Sequence, residues 1–137
     1  MPVRALAPRI SELDGTFEIP QGYQPQERNV SKVRSTLRQY VREWSSEGAE
    51  ERNQCFTPLI EGLKRYLPVG DVKQPPRVVC PGSGLGRLPF ELAALGYRAQ
   101  GNEFSYHMLL ASTLVLNLGL KPEALEVCLG SINVRTC

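Results

Sequence analysis

Apolar residues recur along this chain at two spacings, and the change between them divides it. Val33, Leu37, Tyr40, Val41 and Trp44 fall at i, i+4, i+7, i+8 and i+11, one stripe of a helix over residues 31–47. Asn29 or Ser31 can cap its start, and Gly48 can end it. Cys55, Phe56, Leu59, Ile60, Leu63 and Leu67 continue the helical spacing over residues 50–67. Pro58 removes one intrahelical bond there and predicts a kink or a restart. After a proline-rich linker at 68–76 the spacing shortens. Residues 77–80, RVVC, are a β-branched run behind two prolines, the pattern of a buried parallel strand. A turn with three glycines follows at 81–86. Leu85, Leu88, Leu92 and Leu95 then return to helical spacing over 85–95, closed by Gly96. Residues 97–101 form a second short strand, with Asn102 and Glu103 at its carboxyl end. A last helix covers 105–117, with Ser105 as its cap. Met108, Leu109, Ala111, Ser112, Val115 and Leu116 make it nearly apolar all round, which places it in an interior. Residues 77–103 therefore read as one βαβ unit, the building block of a doubly wound sheet. Such sheets bind ligands beyond the carboxyl ends of their strands.

The flanks are less regular. Residues 1–30 hold Pro2, Pro8, Pro20 and Pro25 with Gly15 and Gly22, and no periodicity survives. They predict an arm, disordered or pinned by isolated contacts of Phe17 and Tyr23. Residues 118–137 predict only a short helix over 122–129, carrying Ala124, Leu125 and Cys128.

At 137 residues the chain has the length of one domain. Its net charge of +2, from 16 basic and 14 acidic residues, gives no electrostatic footprint for nucleic acid. No apolar run approaches the roughly 18 residues of a membrane span. The opening MPVRALAPRI lacks the continuous apolar core of a secretory signal. Cys55, Cys80, Cys128 and Cys137 show no CxxC spacing, so neither a metal cluster nor a disulfide is expected, and a reducing compartment is. The expected partner is a small molecule.

The candidate chemistry sits at the glycine turn. A backbone that turns sharply from strand to helix needs residues without Cβ, and so does a ligand that touches it. The helix start adds unpaired N–H groups and a positive dipole end, favouring an anionic group nearby. Glu103 lies 21 residues after Gly82, close to the spacing of an acid that accepts ribose hydroxyls in dinucleotide folds. Turn and acid together indicate an adenosine-containing cofactor. The dinucleotide fingerprint G-x-G-x-x-G would require its third glycine at position 87, which is Arg87; the third glycine here is Gly86. On the first helix, Arg34, Arg38, Gln39 and Arg42 make a polar face that reads, from pattern alone, as solvated. His107 and Tyr106 read as packing or surface residues.

The G-x-G-x-G spacing is similar to that of S-adenosylmethionine-dependent methyltransferases, whose cofactor carries no phosphate. The resemblance is closer than that. VVCPGSGLGRLPFELAALGYRAQGNEFSYHMLLASTLVLN resembles the core motif of the carnosine N-methyltransferase family, with GLGRL and QGNEFS its most specific parts. VRSTLRQYVREWSSEGAEERNQCFTPLIEGL resembles the helical region just upstream in that family. Together the blocks cover residues 33–117. The resemblance implies methyl transfer from S-adenosylmethionine to an imidazole nitrogen of carnosine, giving anserine, or of a related histidine dipeptide. It implies that Gln39 and Arg42, from the TLRQ-x-x-R-[DE]-W pattern, join Gly82 and Glu103 in holding the cofactor. Three residues apart, Gln39 and Arg42 project from one helix face, and an arginine fork suits the methionine carboxylate. The expected location is cytoplasmic, with an additional nuclear one and a homodimer both left open.

The resulting expectation is a partial α/β, doubly wound (Rossmann-like) methyltransferase domain at 77–117, behind a helical region at 31–68 and an arm at 1–30. The resemblance is read as ending at Asn117, with a divergent tail at 118–137. The family's dipeptide-holding acid, histidine and tyrosine are not found there. The chain is accordingly expected to be an incomplete form, inactive alone, with no residue assignable as catalytic. Two rival readings remain: a non-catalytic fragment that pairs through helix faces or has no function, and a nucleotide- or dinucleotide-binding domain, against which Arg87 weighs.

Overall fold

The chain runs through two helices before it reaches its first strand. α1 (Glu27–Trp44) and α2 (Ala49–Tyr66) are joined by the short turn at 45–48. A computed structural model describes residues 21–22, 24, 26–70 and 73–117, together with the backbone of two further strands at 126–129 and 132–135. Phe17 and Tyr23 lie outside the described residues.

The apolar stripe of α1 is real but tapered. Tyr40 and Trp44 are buried and Leu37 packs beside them, while Val33 is exposed. The helix starts at Glu27, inside the segment expected to be an arm, and ends at Trp44. Its N-cap is Gln26, with no side-chain capping bond, so neither Asn29 nor Ser31 serves. Nor does Gly48 end it: Ser45 is the C-cap, and Gly48 begins α2 instead. The Ser45 hydroxyl donates to Val41 O and accepts from Gly48 N, and Arg52 Nη1 donates to Arg42 O and Ser45 O. This polar knot holds the turn. α2 continues as one helix across Pro58, so the expected restart does not occur. Pro58 is exposed, and the carbonyl it leaves without an intrahelical partner is that of exposed Gln54.

β1 (Arg77–Pro81) and β2 (Arg98–Asn102) pair in parallel, in register from Arg77↔Arg98 to Pro81↔Asn102, with α3 (Arg87–Ala94) crossing between them. This is the expected βαβ unit. Tyr97, expected to open the second strand, is buried just before it, and its hydroxyl donates to Leu67 O. α3 starts two residues later than its leucine spacing suggests. Leu85 is in the turn, not the helix, and Leu95 is 40% exposed. β1 is not the buried strand its composition suggests: only Cys80 is buried and Val79 is 53% exposed. Among the described residues β1 has one strand neighbour, β2, and no second strand pairs with its other edge.

α4 (Tyr106–Asn117) buries Ala111, Ser112 and Thr113. The strands β3 (Glu126–Leu129) and β4 (Ile132–Arg135) form a separate antiparallel hairpin. The helix expected over 122–129 is therefore a strand from Glu126 onward. The β-branched spacing of residues 126–135 carries that signal.

Two apolar clusters hold these elements. Tyr40, Trp44, Leu85 and Ala111 join α1, the glycine turn and α4. Cys80, Leu92 and Tyr97 join β1, α3 and β2, with Ile60 and Leu63 of α2 packed against them. The Tyr40 hydroxyl donates to Ala111 O at 2.8 Å, and burial pushes its pKa up to about 12. A folded value above the ordinary 10 means this contribution is complete below pH 10 and lost as pH rises through 12. Tyr40→Phe is expected to cost about 1 kcal/mol near neutrality and to remove the alkaline loss, which chemical denaturation between pH 8 and 12 would read. An unchanged alkaline slope in the variant would refute the assignment.

A candidate cofactor cleft at the glycine turn

The parallel register sets Pro81 beside Asn102, so the glycine turn and Glu103 leave the sheet side by side. α1 closes over the turn from one flank. A cleft of about 180 Å³ opens there, lined by Gln39, Arg42 and Glu43 from α1, Glu51, Cys55 and Phe56 from α2, and Cys80 to Ser83 from the strand end. Three of the four residues expected at a cofactor site, Gln39, Arg42 and Gly82, thus come together. Glu103 is not part of that lining; it meets the turn through Gly84 N, which donates to its Oε2 at 2.9 Å.

The glycines divide the work. Gly82 has φ +64°, and a Cβ on it would meet nothing within 4 Å. It is the position where the backbone is bare toward open space. Gly84 has φ +56°, and a Cβ there would overlap the Glu43 carboxylate. Its bareness serves the protein's own side chain rather than a ligand.

Glu43 is the residue that the sequence reading passed over. It is 6% exposed. Its Oε1 accepts from Leu85 N at 3.0 Å and its Oε2 from Arg87 N at 3.1 Å. Gln39 Nε2 donates to the same carboxylate at 2.6 Å. The anionic group expected at the start of α3 is therefore supplied from α1. An acid four residues after Gln39 and next to a buried tryptophan was the available signal. It also stands within the quoted TLRQ-x-x-R-[DE]-W pattern.

Arg87 explains why the third glycine of a dinucleotide turn is missing. Its guanidinium lies 5.0 Å from the Trp44 ring centroid and its Nε donates to Glu91 at 2.8 Å. Phe90 meets the same indole edge-on at 5.4 Å. The position is filled by packing between α1 and α3.

Arg42 is 57% exposed and paired with Glu51 through Nε and Nη2. That hydrogen bond raises the arginine's pKa and holds the Glu51 carboxyl below its ordinary range. An exposed pair of this kind is screened by solvent and adds little, so a second carboxylate can replace Glu51 at little cost. Glu103 is better held. Burial works to raise its pKa, but N–H bonds from Ser105, Gly84 and Phe104 together outweigh it and keep the carboxyl below the ordinary value. Tyr106 is 61% exposed and His107 half-buried, both outside the cleft lining. Cys55 and Cys80 are free thiols. No group of side chains that could hold a metal ion is present among the described residues.

A family model described as carnosine N-methyltransferase matches residues 20–128. The match extends past both ends of the two sequence blocks, and so past Asn117, where the resemblance had been read as stopping. The carnosine N-methyltransferase unmet of Drosophila melanogaster is 49% identical over 90 residues, 65% of this chain and 20% of that protein. The carnosine N-methyltransferase of Schizosaccharomyces pombe is 49% identical over 89 residues, covering 64% and 24%. That of Rattus norvegicus is 45% identical over 91 residues, covering 65% and 22%. The matched segment is thus a fifth to a quarter of the length of these relatives.

Proposed function

The chain belongs to the carnosine N-methyltransferase family, and on that premise we propose that it carries the cofactor-binding part of an S-adenosylmethionine-dependent enzyme. The methyl acceptor in this reading is an imidazole nitrogen of carnosine, and β1 and β2 begin a doubly wound sheet. The observation that carries the reading is the convergence of Gln39, Arg42 and bare Gly82 on one cleft at the carboxyl end of β1.

S-adenosylmethionine, when bound, supplies a methyl group already activated on a sulfonium. The chain's residues then have positioning to do. Arg42 would exchange Glu51 for the cofactor's carboxylate, with its fork matching that group's geometry. Gln39, held by Glu43, would be kept beside it. Gly82 would let the cofactor approach the backbone. Glu103 would accept from ribose hydroxyls at the end of β2. None of the described residues is assigned a proton-transfer step.

Calorimetric titration of the purified chain with S-adenosylmethionine and, separately, with NAD tests this. Binding of the first and not the second is expected; the reverse would overturn it. A finer arm concerns the fork. Arg42→Lys is expected to weaken S-adenosylmethionine binding about tenfold, since lysine cannot pair with both carboxylate oxygens, while Arg34→Lys leaves it unchanged. Equal effects would return the basic face of α1 to a solvated role.

A further inference from the structure

The turn between β1 and α3 has the outline of a phosphate cradle, but its donors are spent. Ser83 N donates to Asn102 O and Gly86 N to Ser83 O. Gly84 N goes to Glu103, and Leu85 N and Arg87 N go to Glu43. Every amide from Ser83 to Arg87 is therefore bonded within the chain. Two of the acceptors are carboxylates, so the place where a phosphate would sit already carries negative charge. A helix N-terminus favours an anion through its free N–H groups and dipole; here Glu43 supplies that anion, accepting from Leu85 N and Arg87 N.

We infer that Glu43 sets the ligand class of this turn: by occupying the anion seat of α3 from α1, it shuts out phosphate-bearing nucleotides and leaves the turn to a nucleoside cofactor without phosphate. The inference rests on the S-adenosylmethionine reading for the identity of that cofactor, and on geometry alone for the exclusion. Glu43 is also buried and tied to Gln39, so the seat is closed by a fixed side chain rather than a mobile one. A phosphate would have to displace it against both repulsion and packing. The residue at position 87 completes the device. Arg87 lies over Trp44 rather than reaching toward the turn, so its charge is not offered to an incoming anion.

The test follows the amides themselves. Backbone NMR of the 137-residue chain is recorded during titration with inorganic pyrophosphate, for the wild type, Glu43→Ala and Glu43→Gln. The Gln variant keeps side-chain volume and one acceptor oxygen, and so covers the case in which the Ala variant does not fold. The wild type is expected to show no saturable shift at Leu85 or Arg87. Either folded variant is expected to gain saturable shifts at these two amides, with pyrophosphate affinity at least tenfold above wild type, on the order of one charge-assisted hydrogen bond. Saturable shifts in the wild type overturn the inference, and so does a folded variant with no gain. S-adenosylmethionine titrated in parallel separates the two readings. Its failure to bind the wild type would sink the proposed function while the pyrophosphate arms still decide the role of Glu43.

Discussion

Gly84→Ala is expected to lower the stability of this chain by about 2–5 kcal/mol, and Gly82→Ala by only about 1–2 kcal/mol. Both glycines sit at positive φ, +56° and +64°, and a non-glycine residue there costs about 1–2 kcal/mol. The difference comes from what lies above each. A Cβ on Gly84 overlaps Glu43 Oε1, so the carboxylate must withdraw from Leu85 N, a buried donor. An orphaned buried amide costs about 1–3 kcal/mol. A Cβ on Gly82 meets open space, so nothing in the protein has to move. On the proposed function the methyl added at Gly82 projects where the cofactor approaches, and binding should suffer more than folding does. Urea denaturation and S-adenosylmethionine calorimetry on both variants would show it. If the two lose stability equally, the division of labour between the glycines is wrong.

How much of this could be read from residues depends on whether the cause was local. Gly96 closes α3 with φ +96° because a helix end is a local event, and the spacing showed it. The strand pair and the position of Glu103 followed from short apolar runs and their punctuation. Leu85 did not, because periodicity cannot tell a buried turn residue from the first residue of a helix. It satisfies the leucine spacing, yet it packs with Tyr40 and Trp44 in one cluster while Leu92 packs with Cys80 and Tyr97 in the other. Glu43 was hidden for the same reason. Its backbone partners are 42 and 44 residues away in the chain, and an acid on a helix reads as solvated unless such a partner is known. The start of α1 was misplaced because its first residues, Glu27 to Asn29, are polar and precede Val33, where the apolar stripe on which the helix was recognised begins.

Glu103→Ala is expected to weaken S-adenosylmethionine binding about tenfold to a hundredfold, the effect of one charged hydrogen bond at about 1.5–3 kcal/mol. The structure adds a second consequence. The same carboxylate accepts from Gly84 N at 2.9 Å, Phe104 N at 2.8 Å and Ser105 N at 2.7 Å. It therefore ties the glycine turn to the start of α4, in the manner of a helix cap. Removing such a cap costs about 0.5–2 kcal/mol, so the alanine variant should be measurably less stable even with no ligand present. A carboxylate offers about four acceptor positions, and three are taken. One is left for a ribose hydroxyl, and a second hydroxyl would have to displace an amide, most easily that of exposed Phe104. Glu103→Gln separates the roles, since it keeps one acceptor oxygen but loses the charge. It should recover part of the stability and little of the binding. The pH dependence fixes the sign. With a folded pKa held below the ordinary value, the stabilisation by Glu103 is complete above about pH 4.3 and is lost as pH falls through the lowered folded value. Acid denaturation of the wild type should thus show a loss that Glu103→Gln lacks. Binding that survives Glu103→Ala unchanged, in a chain that binds the cofactor, would confine this residue to holding the turn.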